Sequence, residues 1–472
     1  MLTEESFVRA LMENLGHEPT PCQRNLFGKL ARFAFQSGET DILLVSGYAG
    51  TGKTTAIASF VSTLRQFKSK YVLLAPTGRA AKVLSGFTGK PAYTIHKHIY
   101  RQKSGGAFGE FQLDYNKAKD TFFIVDESSL ISTGGDGGGS LFGSGNLLDD
   151  LVSFVRSGVD NKLVLIGDSG QLPPVGLDRS PALDSEYMSR YGEVWSASLT
   201  SVVRQAADSG ILTNATIIRN IIEIGTAVIP GLRTEGFDDV ERITGGDLIE
   251  AISDAVSRYG LDDIAVICRS NKRANRYNAG IRSSVLFREE RLTRGDKLMV
   301  VKNCYQFLEN VPEMDFIANG DVARLLKISH FEERYGINFA EAVLEFTDYG
   351  NAEVTAKVIL DTLTSEQASL PADRQTELYN GVSEDYSHIK GARKRYEAVR
   401  EDKYFNALQL KYATAITCHK SQGGQWPCVF IDNPFWQDLS LDDLRWLYTA
   451  VTRATEKVYL VNFKDDFFKI DS

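Results

Sequence analysis

The stretch of this chain that most restricts its fold is the octapeptide GYAGTGKT at residues 47–54. It fits the pattern G-x-x-x-x-G-K-[ST] and lies between an apolar run, DILLVS at residues 41–46, and a predicted helix over residues 55–67. A strand, a glycine turn and a helix in this order point backbone N–H groups at one concavity, which suits phosphate. Lys53 then supplies a cation for the β- and γ-phosphates, and Thr54 supplies a hydroxyl for Mg²⁺. The sequence therefore predicts a site for ATP and Mg²⁺, whose loop residues are Gly47, Gly50, Thr51, Gly52, Lys53, Thr54 and Thr55.

Composition and charge are those of an ordinary globular protein. The chain has 472 residues, of which 43% are hydrophobic and 24% charged, so about two to four domains are expected. No apolar run approaches the length of a membrane span and the first residues carry no export signal, so we expect a cytoplasmic protein with no membrane segment. Five cysteines without a C-x-x-C pair, and six scattered histidines, argue against a metal site made only of protein ligands. The net charge of −8 disfavours a nucleic-acid partner unless a basic channel lies on an acidic body.

Strand-length apolar runs separated by helical stretches predict two α/β domains with parallel sheets covered on both faces. The runs are residues 42–45, 71–74, 122–125 and 163–166 in the first half, and 264–267, 428–431 and 458–461 in the second. We predict a first domain at 1–195, with a β-hairpin insertion at 97–120, and a second domain formed by 196–295 and 406–472. A second insertion, at 296–405, reads as a small β-barrel with helical decoration. The glycine-rich segment 133–146 lacks the Lys-Thr ending and is predicted to be a flexible loop, not a second phosphate loop.

Two carboxylates end the apolar strand at residues 122–125. Ligands of parallel sheets bind at the carboxyl ends of the strands, so this pair faces the predicted nucleotide. Asp126 can hold Mg²⁺ through water, and Glu127 can orient and deprotonate the attacking water. An acidic pair in a loop is usually only solvated, but here it follows a buried strand in a chain with a phosphate loop. We therefore predict Asp126 as a metal residue and Glu127 as the catalytic base.

Three further residues are candidates for the γ-phosphate. Gln171 lies in GDSGQLPPVG, where a strand runs into a polar turn. Arg204 and Arg453 follow at long range, in VVRQ and YTAVTRA. Arginines that reach the γ-phosphate stabilise the charge of the transition state, although either one alone could be a surface salt bridge. If the second domain supplies both arginines, ATP closes the cleft between the two domains.

The order of these motifs resembles that of superfamily 1 helicases. GYAGTGKTT, APTGRAAKVL, TIH, IVDES, GDSGQLPPVG, VVRQ, ITCHKSQGGQW and YTAVTRA occur in the family's order, over most of residues 20–465. The details are similar to the 5′→3′ branch, superfamily 1B, with its RecD-like, Pif1-like and Dda-like enzymes, and the size and layout are nearest to the Dda-like ones. The resemblance implies two RecA-like domains, an SH3-like barrel at 296–405 and an adenine-reading role for Gln23. It also implies ATP-site roles for the seven residues Lys53, Thr54, Asp126, Glu127, Gln171, Arg204 and Arg453.

The same resemblance implies which residues contact a nucleic-acid strand. These residues belong to the motifs APTGRAAKVL, TIH and ITCHKSQGGQW. They are Pro76, Thr77, Arg79, Thr94, His96, Thr417, His419, Lys420 and Ser421. Hydroxyls and backbone N–H groups of this kind suit phosphate oxygens, which position a strand without reading its sequence. For both histidines a hydrogen-bonding role is favoured over acid or base chemistry.

Two surface features carry weaker predictions. Phe108 lies between glycines near the tip of the hairpin at 97–120, where this branch carries a strand-separating pin. It is either a wedge that splits the first base pair or a side chain folded onto the domain surface. The basic residues of 390–400 form either a strand-contacting helix face or a solvated helix, and the solvated helix is favoured.

The implied function is an ATP-dependent DNA helicase that moves 5′→3′ on single-stranded DNA and unwinds duplex. We expect a monomer that acts on single-stranded and tailed duplex DNA, in DNA repair or recombination, with no single-strand-binding or replication partner identified by the sequence. An RNA or RNA–DNA helicase of the same superfamily is the first alternative, because phosphate contacts do not distinguish the sugars. A phosphate-loop switch or small-molecule kinase without motor action is a remote one.

Overall fold

The computed structural model describes residues 3–36, 41–102, 111–134, 142–201, 208–314 and 316–469. Arg204, Phe108 and half of the glycine-rich segment 133–146 lie outside the described residues, so those three predictions stay predictions. Within the described ranges, no helix is both long and apolar enough to cross a membrane.

The first lobe is a six-stranded parallel sheet with helices on both faces. Its strands run in the order β3-β2-β6-β7-β1-β8. They are β1 (Ile42–Gly47), β2 (Lys70–Ala75), β3 (Ala92–Thr94), β6 (Thr121–Val125), β7 (Lys162–Gly167) and β8 (Val194–Leu199). Their helices are α1 (Glu4–Leu15), α2 (Pro21–Phe35), α3 (Lys53–Gln66), α4 (Gly78–Thr88), α5 (Ile95–Ile99), α6 (Leu147–Ser157) and α7 (Ser185–Met188). Central strands such as β6 and β7 are apolar along nearly their whole length because both sheet faces carry a hydrophobic core.

Strand β8 extends the first lobe beyond the predicted boundary at residue 195. It pairs in parallel with β1 over its whole length, from Val194 opposite Ile42 to Leu199 opposite Gly47. The first lobe therefore continues at least to Leu199. Its alternating exposed and buried residues are those of an edge strand, so it lacks the continuous apolar run that marks the central strands.

The hairpin insertion is present as a short antiparallel ladder. Its strands are β4 (Tyr100–Gln102) and β5 (Phe111–Leu113), and Tyr100 pairs with Leu113. The connection at 103–110 is outside the described residues. The base of the hairpin is fixed to the lobe because Tyr100 is buried and donates a hydrogen bond to Asp150 at 2.7 Å.

The second lobe is a five-stranded parallel sheet in the order β16-β10-β17-β18-β9. The strands are β9 (Val240–Ile243), β10 (Ile264–Cys268), β16 (Ala415–Thr417), β17 (Trp426–Asp432) and β18 (Ala454–Val461). The helices are α8 (Gly210–Ile224), α9 (Leu248–Tyr259), α10 (Asn271–Gly280), α13 (Cys418–Ser421) and α14 (Leu441–Val451). Two apolar cores again cover the two faces. The predicted fold class, two parallel-sheet lobes of RecA-like type, is confirmed.

The long insertion forms a closed five-stranded barrel, as predicted. Its strands are β11 (Lys297–Val300), β12 (Val322–Arg334), β13 (Ile337–Phe346), β14 (Ala352–Ile359) and β15 (Leu408–Tyr412). Strand β15 lies beyond the predicted end at residue 405, because it closes the barrel by pairing with both β11 and β14. Two helices, α11 (Ala372–Asp385) and α12 (Ala392–Glu401), pack over one side of the barrel around a small apolar cluster.

Candidate nucleotide site and strand groove

The phosphate loop joins β1 to α3 at the carboxyl edge of the first sheet. Helix α3 begins at Lys53, directly after Gly52, which has a left-handed φ of 78°. Such a φ is available to glycine at little cost, so the chain can turn sharply into the helix. At Gly47 a Cβ would lie 2.7 Å from Cγ of Lys53, so a larger residue would push the lysine out of the loop. The glycines predicted from the pattern therefore shape the loop around Lys53.

Lys53 is held inside the loop by its own backbone. Its ammonium donates to the carbonyls of Gly47 at 2.5 Å and Tyr48 at 3.0 Å. The nearest carboxylate is Asp168, whose Oδ2 lies 3.6 Å from Nζ. Asp168 is almost completely buried, so this cation partly neutralises a desolvated charge. A triphosphate would offer Lys53 stronger anionic partners than these carbonyls.

Gln23 lies against the phosphate loop, as a residue that reads a bound base must. Its side chain is fully buried and donates to the carbonyl of Thr51 at 3.4 Å, while its Oε1 accepts from the backbone of Thr20 at 3.0 Å. Thr20 and Gln23 form a reciprocal capping box at the start of α2. The cap fixes the glutamine next to the loop, which is a local reason for its position.

The carboxylates Asp126 and Glu127 follow β6 at the same edge of the sheet. Burial, and then the neighbouring Glu127 carboxylate, raise the pKa of Asp126 to about 7. Glu127 has a left-handed φ of 51°, and its Oε2 is buried with no hydrogen-bond partner among the described residues. Buried carboxylates without enough donors are destabilised until a cation or a water reaches them. Together with the half-buried Thr54, this donor set of hard oxygens fits Mg²⁺.

Gln171 occupies the loop after β7, between the two lobes. It is buried, and its Oε1 has no partner among the described residues. The loop is tightly braced, because Asp168 Oδ1 accepts from the backbone of Gly170 at 2.9 Å. An amide held at a fixed place with a free polar end can contact a ligand at low entropic cost.

The second lobe contacts this loop directly through α14 and the segment after α13. Thr449 Oγ1 accepts from the backbone of Leu172 at 2.9 Å, and Gln422 donates to the Leu172 carbonyl at 2.6 Å. The hydroxyl of Tyr448 accepts from the backbone of Ala49 at 2.8 Å and donates to Asp168 at 2.8 Å. The nucleotide loop of one lobe is therefore hydrogen-bonded to the other.

Arg453 is placed differently from what the resemblance implies for a residue at the γ-phosphate. It is buried, and the three hydrogen bonds that its guanidinium makes within the described residues stay in the second lobe. They go to the carbonyl of Thr449 at 3.0 Å, the carbonyl of Gly424 at 3.2 Å and Oγ1 of Thr452 at 3.2 Å. In this arrangement Arg453 supports the motif ITCHKSQGGQW at residues 416–426, which we call the strand motif. The ATP-site role of Arg453 stays a prediction.

A groove at the junction of the two lobes and the barrel collects most of the predicted strand contacts. Those that line it are Pro76, Thr77, Arg79, Thr94, His96, His419 and Lys420. Thr417 and Ser421 are not among the lining residues, and Ser421 is fully buried with its hydroxyl donating to the carbonyl of Cys418 at 2.7 Å. Ser421 thus has an internal partner, because it closes the single turn of α13.

The two groove threonines act as helix caps. Thr77 accepts from the backbone of Ala80 at 3.2 Å, and Thr94 accepts from the backbone of Lys97 at 3.2 Å. Each is the N-cap of a helix whose first turn faces the groove, α4 and α5. Helix N-termini favour phosphate through free N–H groups and the helix dipole, so the threonines help to aim the backbone at a strand.

Arg79 closes the groove across the lobes. Its guanidinium lies 3.9 Å from the ring centroid of Trp426 and donates to the carbonyl of Gln425 at 3.1 Å. A Cβ on Gly424 would lie 2.9 Å from Nε of Arg79, so only glycine admits this stack. Cation–π contacts between desolvated groups stabilise by about 2 kcal/mol. The GGQW part of the strand motif therefore has a packing reason.

His96 borders an aromatic cluster between lobe and barrel. Its ring centroid lies 4.9 Å from that of Phe142 and 6.0 Å from that of Phe316. Burial lowers the pKa of His96 to about 4, so the imidazole is neutral at pH 7. This agrees with the interpretation of His96 as a positioning residue without acid or base chemistry.

Several residues of the site have no counterpart in the sequence predictions. The barrel contributes a groove wall through Asn303, Phe316, Ala318, Asn319, Gly320, Asp321, Val322 and Tyr349. Lys420 donates to Asn319 Oδ1 at 2.5 Å, which ties the strand motif to that wall. Two residues of the second lobe contact the phosphate loop. The hydroxyl of Tyr448 accepts from the backbone of Ala49, and the guanidinium of Arg219 lies 4.9 Å from the ring centroid of Tyr48. Tyr448 is the first residue of the motif YTAVTRA, so the sequence carries a signal for it, whereas no local signal marks the barrel residues.

Two protein-family models match parts of the chain. An AAA domain family model matches residues 29–221, and a UvrD-like helicase C-terminal domain model matches residues 412–461. An uncharacterized protein of Methanocaldococcus jannaschii is 24% identical over 462 residues, which cover 89% of this chain and 36% of that protein. This chain thus spans about a third of that relative.

Two other similar proteins are matched over most of their own length. The ATP-dependent DNA helicase dda of Enterobacteria phage T4 is 24% identical over 450 residues, 88% of this chain and 93% of that protein. A crystal structure of Pif1 helicase from Bacteroides in complex with ADP-AlF3 and ssDNA covers 97% of this chain and 95% of its own, at 15% identity and a TM-score of 0.47. With family models on both lobes and the motifs in the family's order, the chain is similar to the superfamily 1B helicases of the Pif1/RecD-like group.

Proposed function

We propose that the protein is an ATP-dependent DNA helicase that moves 5′→3′ on single-stranded DNA and unwinds duplex ahead of it. The observation that carries the proposal is that one segment of the second lobe contacts both the nucleotide site and the strand groove. The segment that includes Gln422 and Lys420 touches the loop of Gln171 on one side and the strand groove on the other. A change at the nucleotide therefore has a short, bonded route to the groove.

The residues of the site have defined parts in hydrolysis. Lys53 exchanges the carbonyls of Gly47 and Tyr48 for phosphate oxygens. Thr54 and Asp126 would hold Mg²⁺, which when bound would neutralise the phosphate charge. Glu127 accepts the proton of the attacking water, and Gln171 contacts the γ-phosphate. Arg204 and Arg453 are proposed to complete the charge stabilisation from the second lobe, after a movement that frees Arg453 from its internal carbonyls.

Motion follows from the alternation of two grips on one strand. The first lobe presents the N-termini of α4 and α5, and the second presents His419 and Lys420. Since Arg79 spans the lobes onto Trp426, opening the cleft must break or slide this stack. Each cycle of closure and reopening thus changes which lobe holds the backbone, and the strand advances by a small step.

DNA as the substrate is supported by the similar phage protein, which is named as a DNA helicase. The hydroxyls, cations and helix ends among the groove residues bind phosphate without testing the sugar. An RNA or RNA–DNA helicase is therefore kept as the second candidate, and equal stimulation of hydrolysis by poly-dT and poly-U would favour it. The proposal includes a monomeric, cytoplasmic enzyme, since cleft and groove come from one chain and all five cysteines are free.

The deciding experiment uses two duplexes that differ only in the polarity of their single-stranded tail. With ATP and Mg²⁺, the protein is expected to unwind the 5′-tailed duplex and to leave the 3′-tailed duplex largely paired. Unwinding of the 3′-tailed duplex alone would overturn the polarity but keep the helicase. Hydrolysis without unwinding of either, and without any dependence on nucleic acid, would favour a non-motor switch.

A further inference from the structure

Tyr448 is a residue of the second lobe that is hydrogen-bonded to the phosphate loop. It lies on α14, is 1% exposed, and its hydroxyl bridges Ala49 N–H and Asp168 Oδ2, each at 2.8 Å. Its ring packs against Gly170, where a Cβ would lie 3.1 Å from Cε1. Packing thus holds the ring where its hydroxyl meets the loop.

The position of that hydroxyl along the loop identifies the part of the nucleotide it would meet. Ala49 is the third residue of the loop and precedes Lys53 by four residues. The lysine of such a loop reaches the β- and γ-phosphates. Asp168, the second partner of the tyrosine, lies 3.6 Å from the Lys53 ammonium. The phenol thus stands beside the group that binds the terminal phosphates.

Tyr448 is suited to donate a hydrogen bond to an anion at this place. Burial, followed by the nearby Asp168 carboxylate, raises the pKa of Tyr448 well above its ordinary value, so the phenol keeps its proton. When Lys53 turns to phosphate, Asp168 loses its nearest cation but keeps the N–H of Gly170. A phosphate oxygen brings more negative charge to this place than Asp168 does, so it would compete for the proton of the phenol and draw Tyr448 towards the nucleotide.

We propose that Tyr448 is a positioning residue that reports the γ-phosphate to the second lobe, by moving its hydroxyl from Asp168 to a γ-phosphate oxygen. The inference rests on the proposed function of an ATP-driven cleft and names one residue that links its two sides. The neighbouring Thr449 is bonded to Leu172, and Arg453 on the following turn is bonded to Gly424 of the strand motif. A shift of Tyr448 therefore reaches both the glutamine loop and the groove.

The test compares Tyr448→Phe with the parent protein in binding Mg²⁺ with a non-hydrolysable ATP analogue and with ADP. Loss of one hydrogen bond to a charged group should weaken analogue binding about tenfold, while ADP affinity changes less than about twofold. Tyr277→Phe is the matched control. It removes a phenol that donates to Asp432 at 2.6 Å in the same lobe but away from the loop, and it should leave the ratio of the two affinities unchanged.

A second readout follows the strand. In the parent protein the affinity for single-stranded DNA should differ between the analogue-bound and ADP-bound states, and Tyr448→Phe should reduce that difference. Equal weakening of both nucleotides, no change in either, or tighter analogue binding would overturn the proposal. A melting temperature of Tyr448→Phe far below that of Tyr277→Phe would also overturn it, because the hydroxyl would then mainly stabilise the fold. If single-stranded DNA does not stimulate hydrolysis by the parent protein, the proposed function fails. The Tyr448 proposal is tested separately, because the ratio of analogue affinity to ADP affinity is measured without DNA and without hydrolysis.

Discussion

The phosphate loop and the strand groove are built in opposite ways. The loop is a single run of eight residues whose shape follows from its own glycines, strand and helix. The groove is assembled from both lobes and the barrel, and residues more than two hundred positions apart line it together. Local chemistry is thus enough to define a nucleotide site, whereas a strand site requires the tertiary arrangement.

The two regions also differ in how the second lobe enters them. At the nucleotide site, the hydroxyls of Tyr448 and Thr449 accept hydrogen bonds from the backbone N–H groups of Ala49 and Leu172. At the groove the second lobe arrives through an aromatic ring and an amide carbonyl, both bound by Arg79. Substitutions should therefore separate the regions, so that one activity is lost while the other is retained.

Lys53→Ala should have the largest effect and should be confined to the nucleotide side. Removal of the cation that serves the terminal phosphates is expected to lower the ATP hydrolysis rate by at least about a thousandfold. Binding of single-stranded DNA should stay within about twofold, because Lys53 contacts only the loop and Asp168. A hydrolysis assay and a fluorescence anisotropy titration measure the two. Lys70→Ala, at an exposed lysine of the same lobe, should change neither.

Glu127→Gln should slow hydrolysis about a hundredfold or more and leave nucleotide binding intact, because the amide cannot accept the proton. Its shape is unchanged, and the uncharged side chain also removes the repulsion that raises the pKa of Asp126. Pre-steady-state hydrolysis and equilibrium binding of ATP separate the two quantities. Brisk turnover by this variant would reject Glu127 as the base.

Arg79→Ala should produce the reverse pattern on the groove side. We expect the affinity for single-stranded DNA to fall about tenfold, since both a backbone cation and the stack on Trp426 are lost. ATP binding in the absence of DNA should be unchanged. Arg393→Ala is the matched control, because Arg393 lies exposed on α12 and pairs with Glu397. If Arg393→Ala weakens DNA binding as much as Arg79→Ala, the basic helix face contacts the strand after all.

The smallest effect concerns pH and stability in the groove wall. The pKa of His96 falls from its ordinary value of 6.5 to about 4 in the folded protein, because of burial. The unfolded chain therefore takes up the proton first, and the stability from His96 is complete above pH 6.5 and is lost as the pH falls towards 4. Between pH 7 and 5 the loss should be about 1–2 kcal/mol. Denaturant unfolding of His96→Phe should show a flatter pH dependence than the parent protein.

The same contrast explains what could be predicted from the sequence. Buried parallel strands such as Phe122–Val125 and Leu163–Ile166 were recognisable because they are continuous apolar runs. Strand β8 and strand β15 fell across the predicted boundaries, because pairing with distant partners decides which sheet an edge or closing strand joins.

The site residues divide in the same way. Lys53, Asp126 and Glu127 can be predicted from their motifs, because the adjoining strand or helix fixes where each side chain lies. Thr77 and Ser421 come from motifs too, yet their hydroxyls cap a helix or close a turn, a distinction that only hydrogen-bond geometry makes. The barrel wall with Phe316 and Asn319 carries no local signal, since its place depends on how the barrel docks.

The nucleotide site and the groove are expected to be coupled through the second lobe. That coupling is measured by the steady-state rate of ATP hydrolysis with and without a single-stranded oligonucleotide, at saturating ATP and Mg²⁺. We expect the oligonucleotide to raise the rate by about tenfold or more. An identical rate in its presence and absence, with the oligonucleotide shown to be bound, would contradict it.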